Sequence, residues 1–280
     1  MHPVLFEIRI PFSEVRILIY SVFFSITLSL LVAILLGTRA AQQRGLSVDA
    51  ALNMTLCGLV GLILGARIYA ICENPSFYLA HPLRIIRLWE GSLATYGGAI
   101  GGVLACALYL RLKKQPLFDY LDVYAPYGFL GLGIIRVGDF LNGTAFGKRA
   151  ELPWAVRFPK DSFAYKYHLH KGWLESGATS SLPVHPTQLY EALLSLFLCG
   201  ALLLWFRSGK RAPSGVAFLV GSLCYAVFRF PIDWLRQDLN TSLPLGLAST
   251  QWVGMGVALG VACALFVRYR CQQNRSLPSV

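Results

Sequence analysis

The chain has 280 residues, 55% of them hydrophobic and 14% charged, with a formal net charge of +11. A soluble domain of this size carries about 25% charged residues, so the composition excludes an ordinary globular protein and points to a membrane protein. The basic residues are spread along the chain rather than gathered in one patch, which argues against nucleic-acid binding despite a pI near 9.5.

A helix needs about 20 apolar residues to cross a bilayer. Seven such runs are expected in chain order: 17–36, about 51–72, 91–110, about 118–135, 189–206, about 214–230 and about 249–267. The fourth is the weakest, with Asp119 and Asp122 near its start and Pro126 inside it. The expected class is an all-α polytopic membrane protein. Basic residues follow alternate runs: Arg39 and Arg44, then Arg111, Lys113 and Lys114, then Arg207, Lys210 and Arg211, and finally Arg268, Arg270 and Arg275. If every run crosses once, these clusters share one side, which the positive-inside rule makes cytoplasmic. The N-terminus is then outside and the C-terminus in the cytoplasm. Residues 140–187 are too polar to span and too long for a turn, and read as a small extracytoplasmic head. The organisation expected is spans one to four within 1–139, the head at 140–187, and spans five to seven with a cytoplasmic tail at 188–280.

The seven cysteines, Cys57, Cys72, Cys106, Cys199, Cys224, Cys263 and Cys271, form no C-x-x-C pair. They read as small buried hydrophobes. The pair His168 and His170 lacks nearby cysteines and the i, i+4 spacing of helical ligands, so no metal or other cofactor is expected.

Charges inside or at the ends of spans are costly and are functional candidates by default. Arg67 sits late in the second run, Arg136 ends the fourth, and Glu191 opens the fifth. Arg229, Asp233 and Arg236 stand at the end of the sixth, Tyr20 lies early in the first, and Tyr96 precedes Gly97 and Gly98. By the topology above, all fall in the outer half of the membrane. Arg67 reads equally well as a snorkelling residue and Tyr20 as part of an aromatic belt. The glycines suit close helix packing, and Asp233 and Arg236 are spaced to pair. Arg136 and Arg229 form a good clamp for a phosphate, since guanidinium offers forked, permanently charged donors. In a bilayer the nearest phosphate belongs to a lipid. These residues alone leave open an enzyme, a lipid transporter and a lipid binder.

The stretch R-V-G-D-F-L-N-G-T-A-F-G, residues 136–147, resembles the R-x-G-N-F-x-N-x-E-x-x-G signature of bacterial prolipoprotein diacylglyceryl transferases. Four further stretches are similar to that family in the same order: LGARIYAI at 64–71, WEGSLATYGGAIGG at 89–102, HPTQLYEALL at 185–194 and FRFPIDWLRQ at 228–237. The resemblance implies a cytoplasmic (inner) membrane enzyme that moves a diacylglyceryl group from phosphatidylglycerol to the lipobox cysteine of a preprolipoprotein. It also implies that Arg136 and Arg229 hold the lipid phosphate and that Tyr96 assists proton removal from the thiol. Tyr20, Asn142, Gly147, Glu191, Asp233 and Arg236 would shape the site.

Two positions depart from the pattern. Asp139 stands where the family has asparagine, and Thr144 where it has glutamate. An ionised aspartate donates no hydrogen bond to a lipid oxygen. At about 5 Å and an effective dielectric of about 20 it would repel a phosphate by roughly 3 kcal/mol. Yet one carboxylate is gained and one lost, and Asp139 is spaced to pair with Arg136. The expectation is a carboxylate relocated by five positions. The competing reading is a divergent paralogue that binds lipid but has lost, or altered, the transfer reaction.

Overall fold

The computed structural model describes residues 4–9, 16–87, 95–160, 162–175, 177–209, 213–239 and 244–276. Two strands, β1 (Val4–Arg9) and β2 (Arg16–Tyr20), pair antiparallel ahead of α1 (Ser21–Gln43). Then come α2 (Val48–Glu73), α3 (Pro75–Ala80), a short 3-10 turn at Pro82–Ile85, α4 (Thr95–Leu112) and α5 (Leu117–Asn142). The remainder is α6 (Phe163–His170), α7 (Thr187–Arg207), α8 (Val216–Leu235) and α9 (Ser249–Ser276).

Beyond this short hairpin the described elements are helices, as expected of an all-α polytopic membrane protein. Residues 17–20, expected to open the first span, instead form most of β2. Isoleucines at 17 and 19 favour a strand, and a short apolar run does not reveal its state by periodicity alone. Among the described residues, α1, α2, α7, α8 and α9 are long and apolar enough to cross a membrane, and α4 has a shorter apolar stretch, Gly97–Leu112. The 26-residue α5 is long enough, but Asp119, Asp122, Arg136 and Asp139 lie within it.

The chain divides into two units: residues 34–124, and residues 1–33 with 125–280. In the first, Ala41, Ala50, Ala51, Met54, Leu110, Tyr120 and Val123 form an apolar core. Ser47 caps α2 by accepting from the Ala50 amide at 3.2 Å, and the Tyr120 hydroxyl donates to the Ser47 carbonyl at 3.0 Å. Helices α2 and α4 touch backbone to backbone. A Cβ on Gly101 would strike the Gly61 carbonyl oxygen, and one on Gly97 would strike Tyr69 and the Gly65 carbonyl oxygen. Gly98 fits more loosely, its absent Cβ lying 3.2 Å from the Leu62 carbonyl oxygen. Close backbone approach is how small residues associate helices where lipid supplies no hydrophobic drive.

In the second unit, α5, α7 and α8 share a core of Ala125, Phe129, Leu198, Cys199, Leu202 and Ala217. The segment between α5 and α7 has its own small core of Phe146, Phe158, Ala164 and Val184, with Phe140 of α5 packed against it. His168 lies beside this core with no exposed surface, and its Nδ1 accepts from the Leu182 amide at 3.2 Å. Burial pushes its pKa down, so the imidazole is held neutral in the acceptor form.

Replacing Gly101 by leucine forces α2 and α4 apart. The expected cost is about 1–3 kcal/mol, read as a lower melting temperature of the detergent-solubilised protein. Gly260→Leu in α9, where an added Cβ meets nothing within 4 Å, should leave the melt nearly unchanged.

Candidate active site: arginines gathered on a buried carboxylate

Three arginines from different parts of the sequence converge on Glu191. Its side chain is 1% exposed and sits in the first turns of α7. Arg136 Nε lies 2.7 Å from Glu191 Oε2, Arg229 Nη1 lies 3.9 Å from the same oxygen, and Arg236 Nη1 lies 3.8 Å from Oε1. These contacts are Coulombic: neither Glu191 oxygen nor Arg136 Nε has an aligned hydrogen-bond partner among the described residues. Two more carboxylates complete the cluster. Asp139 Oδ2 accepts from Arg136 Nη1 at 2.7 Å, while Asp233 Oδ1 lies 3.4 Å from Arg229 Nε and 3.8 Å from Arg236 Nη1. Arg236 also grips Asp238 with Nε and Nη2, at 3.0 and 2.8 Å.

The local sequence explains the convergence. Arg136 and Asp139 are one helical turn apart near the end of α5, as are Arg229 and Asp233 in α8. After α5 the chain turns through Gly143 and Ala145, whose φ angles are +74° and +53°. The positive φ of Ala145 is uncommon for a residue with a Cβ. The start of α7 fastens this turn: Thr187 donates to the Ala145 carbonyl at 2.7 Å, and Gln188 donates to the Thr144 carbonyl at 2.6 Å. Glu191 follows one turn later in α7.

Gly147 then lies between two chain segments. Its amide donates to the His185 carbonyl at 3.0 Å, and it pairs antiparallel with Arg236. A Cβ there would stand 2.5 Å from the His185 Cβ, so only glycine fits. The Lys148 amide donates to the Leu235 carbonyl at 2.7 Å and the Gln237 amide to the Phe146 carbonyl at 3.1 Å. This stitching fixes Arg236 at the end of α8.

The two departures from the family pattern meet in space. The Thr144 hydroxyl donates to Asp139 Oδ1 at 3.1 Å, and the Thr144 amide to the Asp139 carbonyl at 3.1 Å. The pairing of Asp139 with Arg136, expected from spacing, is present. Asp139 therefore touches both Thr144 and Arg136.

The guanidinium groups are pinned without being used up. Arg136 commits Nε and Nη1 to carboxylates. Arg229 commits Nε to Asp233 and Nη1 to the Tyr225 hydroxyl, at 3.4 and 3.1 Å. The Nη2 group of each has no partner among the described residues, and the side chains stay 15% and 23% exposed. Asn142 is half-buried at the end of α5.

Tyr20 ends β2, 41% exposed, its ring edge-on to Phe23. Arg67, Tyr96, Gly97 and Gly98 belong to the other unit. Arg67 does not snorkel. It is 6% exposed, donates to the backbone carbonyls of Arg84, Ile85 and Arg87, and lies over the Tyr78 ring at 5.2 Å. It ties the segment after α2 back onto that helix. Gly97 and Gly98 face α2 as packing residues. The backbone of Tyr96 falls in the first turn of α4, and its side chain lies outside the described residues, as do residues 89–94 of the WEGSLATYGG stretch. Tyr225, Thr187 and Gln188 are site residues that the sequence reading passed over. The i, i+4 spacing of Tyr225 to Arg229 was the available signal.

The prolipoprotein diacylglyceryl transferase family model matches residues 3–268. The chain belongs to that family. A phosphatidylglycerol–prolipoprotein diacylglyceryl transferase of Bordetella avium is 38% identical over 77% of this chain and 75% of its own length. Relatives of the same name are 33% identical in Cupriavidus necator, over 79% of this chain and 75% of the relative, and 34% identical in a Nostoc strain, over 91% and 86%.

Removing one partner of a buried ion pair leaves charge uncompensated and costs about 3–5 kcal/mol. Glu191→Gln, which removes the counter-charge shared by three arginines, should therefore lower the melting temperature more than Asp139→Asn, whose carboxylate is 15% exposed. Parallel thermal melts in one detergent make the comparison.

Proposed function

We propose that this protein transfers a diacylglyceryl group from phosphatidylglycerol to the cysteine thiol of a preprolipoprotein lipobox, giving a thioether and glycerol 1-phosphate. The observation that carries the reading is the pair of uncommitted Nη2 groups on Arg136 and Arg229, both guanidinium groups lying within 4 Å of one Glu191 oxygen. In the reaction the glyceryl carbon exchanges its bond to the phosphate oxygen for a bond to sulfur. The phosphate leaves with the electron pair, and the thiol loses its proton. Rigid N–H donors aimed at the leaving phosphate stabilise charge that grows during bond breaking. The nucleophile is the substrate's own cysteine, so the reaction asks for no thiol from this chain.

Roles follow from position. Arg136 and Arg229 hold the phosphate, with Glu191, Asp233 and Tyr225 fixing their rotamers. Arg236 and Gly147 fix the junction of α8 with the segment after α5. By family likeness Tyr96 is assigned proton removal and Tyr20 and Asn142 lipid contact, while Arg67, Gly97 and Gly98 brace their own helices. Asp139 supplies, against Arg136, the carboxylate that relatives carry five residues later. The Thr144–Asp139 contact supports this, because it puts the two side chains side by side. Seven spans are assigned, with α4 and α5 added to the five apolar helices. The N-terminus is placed outside, residues 140–187 form an extracytoplasmic head, and the C-terminus lies in the cytoplasm of a bacterial cell with the enzyme in its inner membrane.

The test is transfer of labelled diacylglycerol from phosphatidylglycerol to a lipobox peptide by purified protein in detergent. Thioether product is expected, and Arg136→Ala or Arg229→Ala should each reduce it by about 10²–10³-fold, the usual loss for one charge-stabilising donor. Full activity in both variants would remove the phosphate clamp.

The double variant Asp139→Asn with Thr144→Glu moves the carboxylate back. Little change in transfer rate is expected from an active wild type. A large gain from a silent wild type would mean that the two departures had disabled the enzyme.

A further inference from the structure

The segment between α5 and α7 carries a face that phosphate binding and transfer leave without a task. Helix α6 buries Ala164, Tyr165 and His168. Its other side exposes Phe163 at 60%, Leu169 at 50% and, just past the helix, Trp173 at 45%. Lys166 and His170 lie on that same exposed side, and Lys160 and Lys171 flank it, all of them exposed. Residues 163, 166, 169 and 170 recur every three or four positions, which makes one stripe, and beyond Gly172 (φ +68°) the half-exposed Trp173 folds back beside it, its ring 5.5 Å from that of His168 and 6.0 Å from that of Tyr167. Three lysines, Lys160, Lys166 and Lys171, exceed the two acids, Asp161 and Glu175, within 160–175.

Water-facing helices do not gain from such a stripe. Large rings and leucine interleaved with lysine are the composition of helices lying in a membrane surface. There the apolar groups enter the headgroup region and the cations face lipid phosphates.

The position of α6 agrees. The Tyr167 hydroxyl accepts from Gln237 Nε2 at 3.4 Å, and Gln237 is two residues past the end of α8, a helix long and apolar enough to cross a membrane. A second exposed indole, Trp154, is 58% exposed and donates from Nε1 to the Tyr190 hydroxyl at 2.9 Å, in the first turn of α7, another such helix. Both indole-bearing stretches are thus held at the ends of candidate spans, where headgroups begin.

We infer that the stripe Phe163–Lys166–Leu169, with Trp173 beside its end and Lys160 and Lys171 flanking it, docks this segment onto the anionic phospholipid surface of the bilayer that holds the helices. The inference rests on reading α7 and α8 as spans and deepens the transferase reading. A head fastened to anionic headgroups holds the segment carrying Gly147 and Thr144 against the pool from which an anionic lipid donor is drawn.

The experiment places full-length protein in nanodiscs of phosphatidylcholine with brominated chains, with or without phosphatidylglycerol. Trp173 is read as the fluorescence lost in Trp173→Phe. Lipid bromines should quench that component, more strongly with phosphatidylglycerol present, and aqueous iodide should quench it weakly. Lys166→Gln should raise the half-saturating fraction of phosphatidylglycerol in the transfer assay about fivefold, the ratio equivalent to about 1 kcal/mol per lysine at an anionic surface, with kcat unchanged. A Trp173 component open to iodide and untouched by lipid bromines would overturn the proposal. So would shielding from iodide that appears only when a lipobox peptide is added, which would make the face a protein-docking surface. The quenching does not require turnover. Loss of quenching in an active enzyme sinks the docking alone, whereas quenching in a protein that makes no thioether sinks the transferase reading alone.

Discussion

The site depends on one buried carboxylate. Arginines from α5 and the two ends of the α8 junction would repel one another if left alone, and Glu191 is the common counter-charge that lets them share a small volume. Burial raises the stakes of that arrangement. An ion pair taken out of water returns little net stability, but losing one member leaves a bare charge in a poor solvent. The structure accordingly supports Glu191 on all sides. Thr187 and Gln188, in the same helical turn, hold carbonyls of the loop that follows Arg136 and Asp139. The residues of HPTQLYE thus work as one device: the early ones fix the backbone, and the last sets the charge.

Much of the site was legible because a charge in an apolar stretch needs a reason. Arg136, Glu191, Arg229, Asp233 and Arg236 stood out on those grounds, and the structure brings all five together. Spacing announced the pairs Arg136–Asp139 and Asp233–Arg236 as well. Tyr225 was hidden by the opposite effect, since a tyrosine among valine, cysteine and phenylalanine looks like core. Only its contact with Arg229 gives it another meaning. Arg67 and the glycines at 97 and 98 were equally visible as oddities, but their explanation is local: one holds backbone carbonyls, and the others let two helices touch. The hairpin was missed because isoleucine and leucine serve a strand and a membrane helix alike.

The meeting of residues 139 and 144 was beyond the reach of spacing. They are five apart, across the end of a helix, and a continued helix would carry them to different faces. Gly143 and Ala145 instead adopt positive φ, which ends α5 and folds Thr144 back over the last turn. An alignment column treats an asparagine-to-aspartate change and a glutamate-to-threonine change as two losses. Three-dimensional proximity puts the two positions in contact, and in the reading proposed above they are one exchange, with the carboxylate arising from the helix rather than from the loop.

Charge balance then says what kind of catalyst this arrangement makes. Arg136, Arg229 and Arg236 are matched by Asp139, Glu191 and Asp233, so the six groups sum to zero before Asp238 is counted. A site that worked by bulk positive charge would be poorly served by such pairing. A site that works by direction is well served. Each guanidinium is planar and has five N–H donors; carboxylates on two nitrogens of Arg136, and Asp233 with the Tyr225 hydroxyl on two of Arg229, fix where the third points. The Nη2 groups of Arg136 and Arg229 are then aimed at no entropic cost to the reaction step. A diester phosphate arrives with about one negative charge and leaves as a monoester with more, so donors fixed in advance gain strength as the bond breaks. In the proposed reaction, electrostatic preorganisation of this sort favours the transition state over the bound lipid.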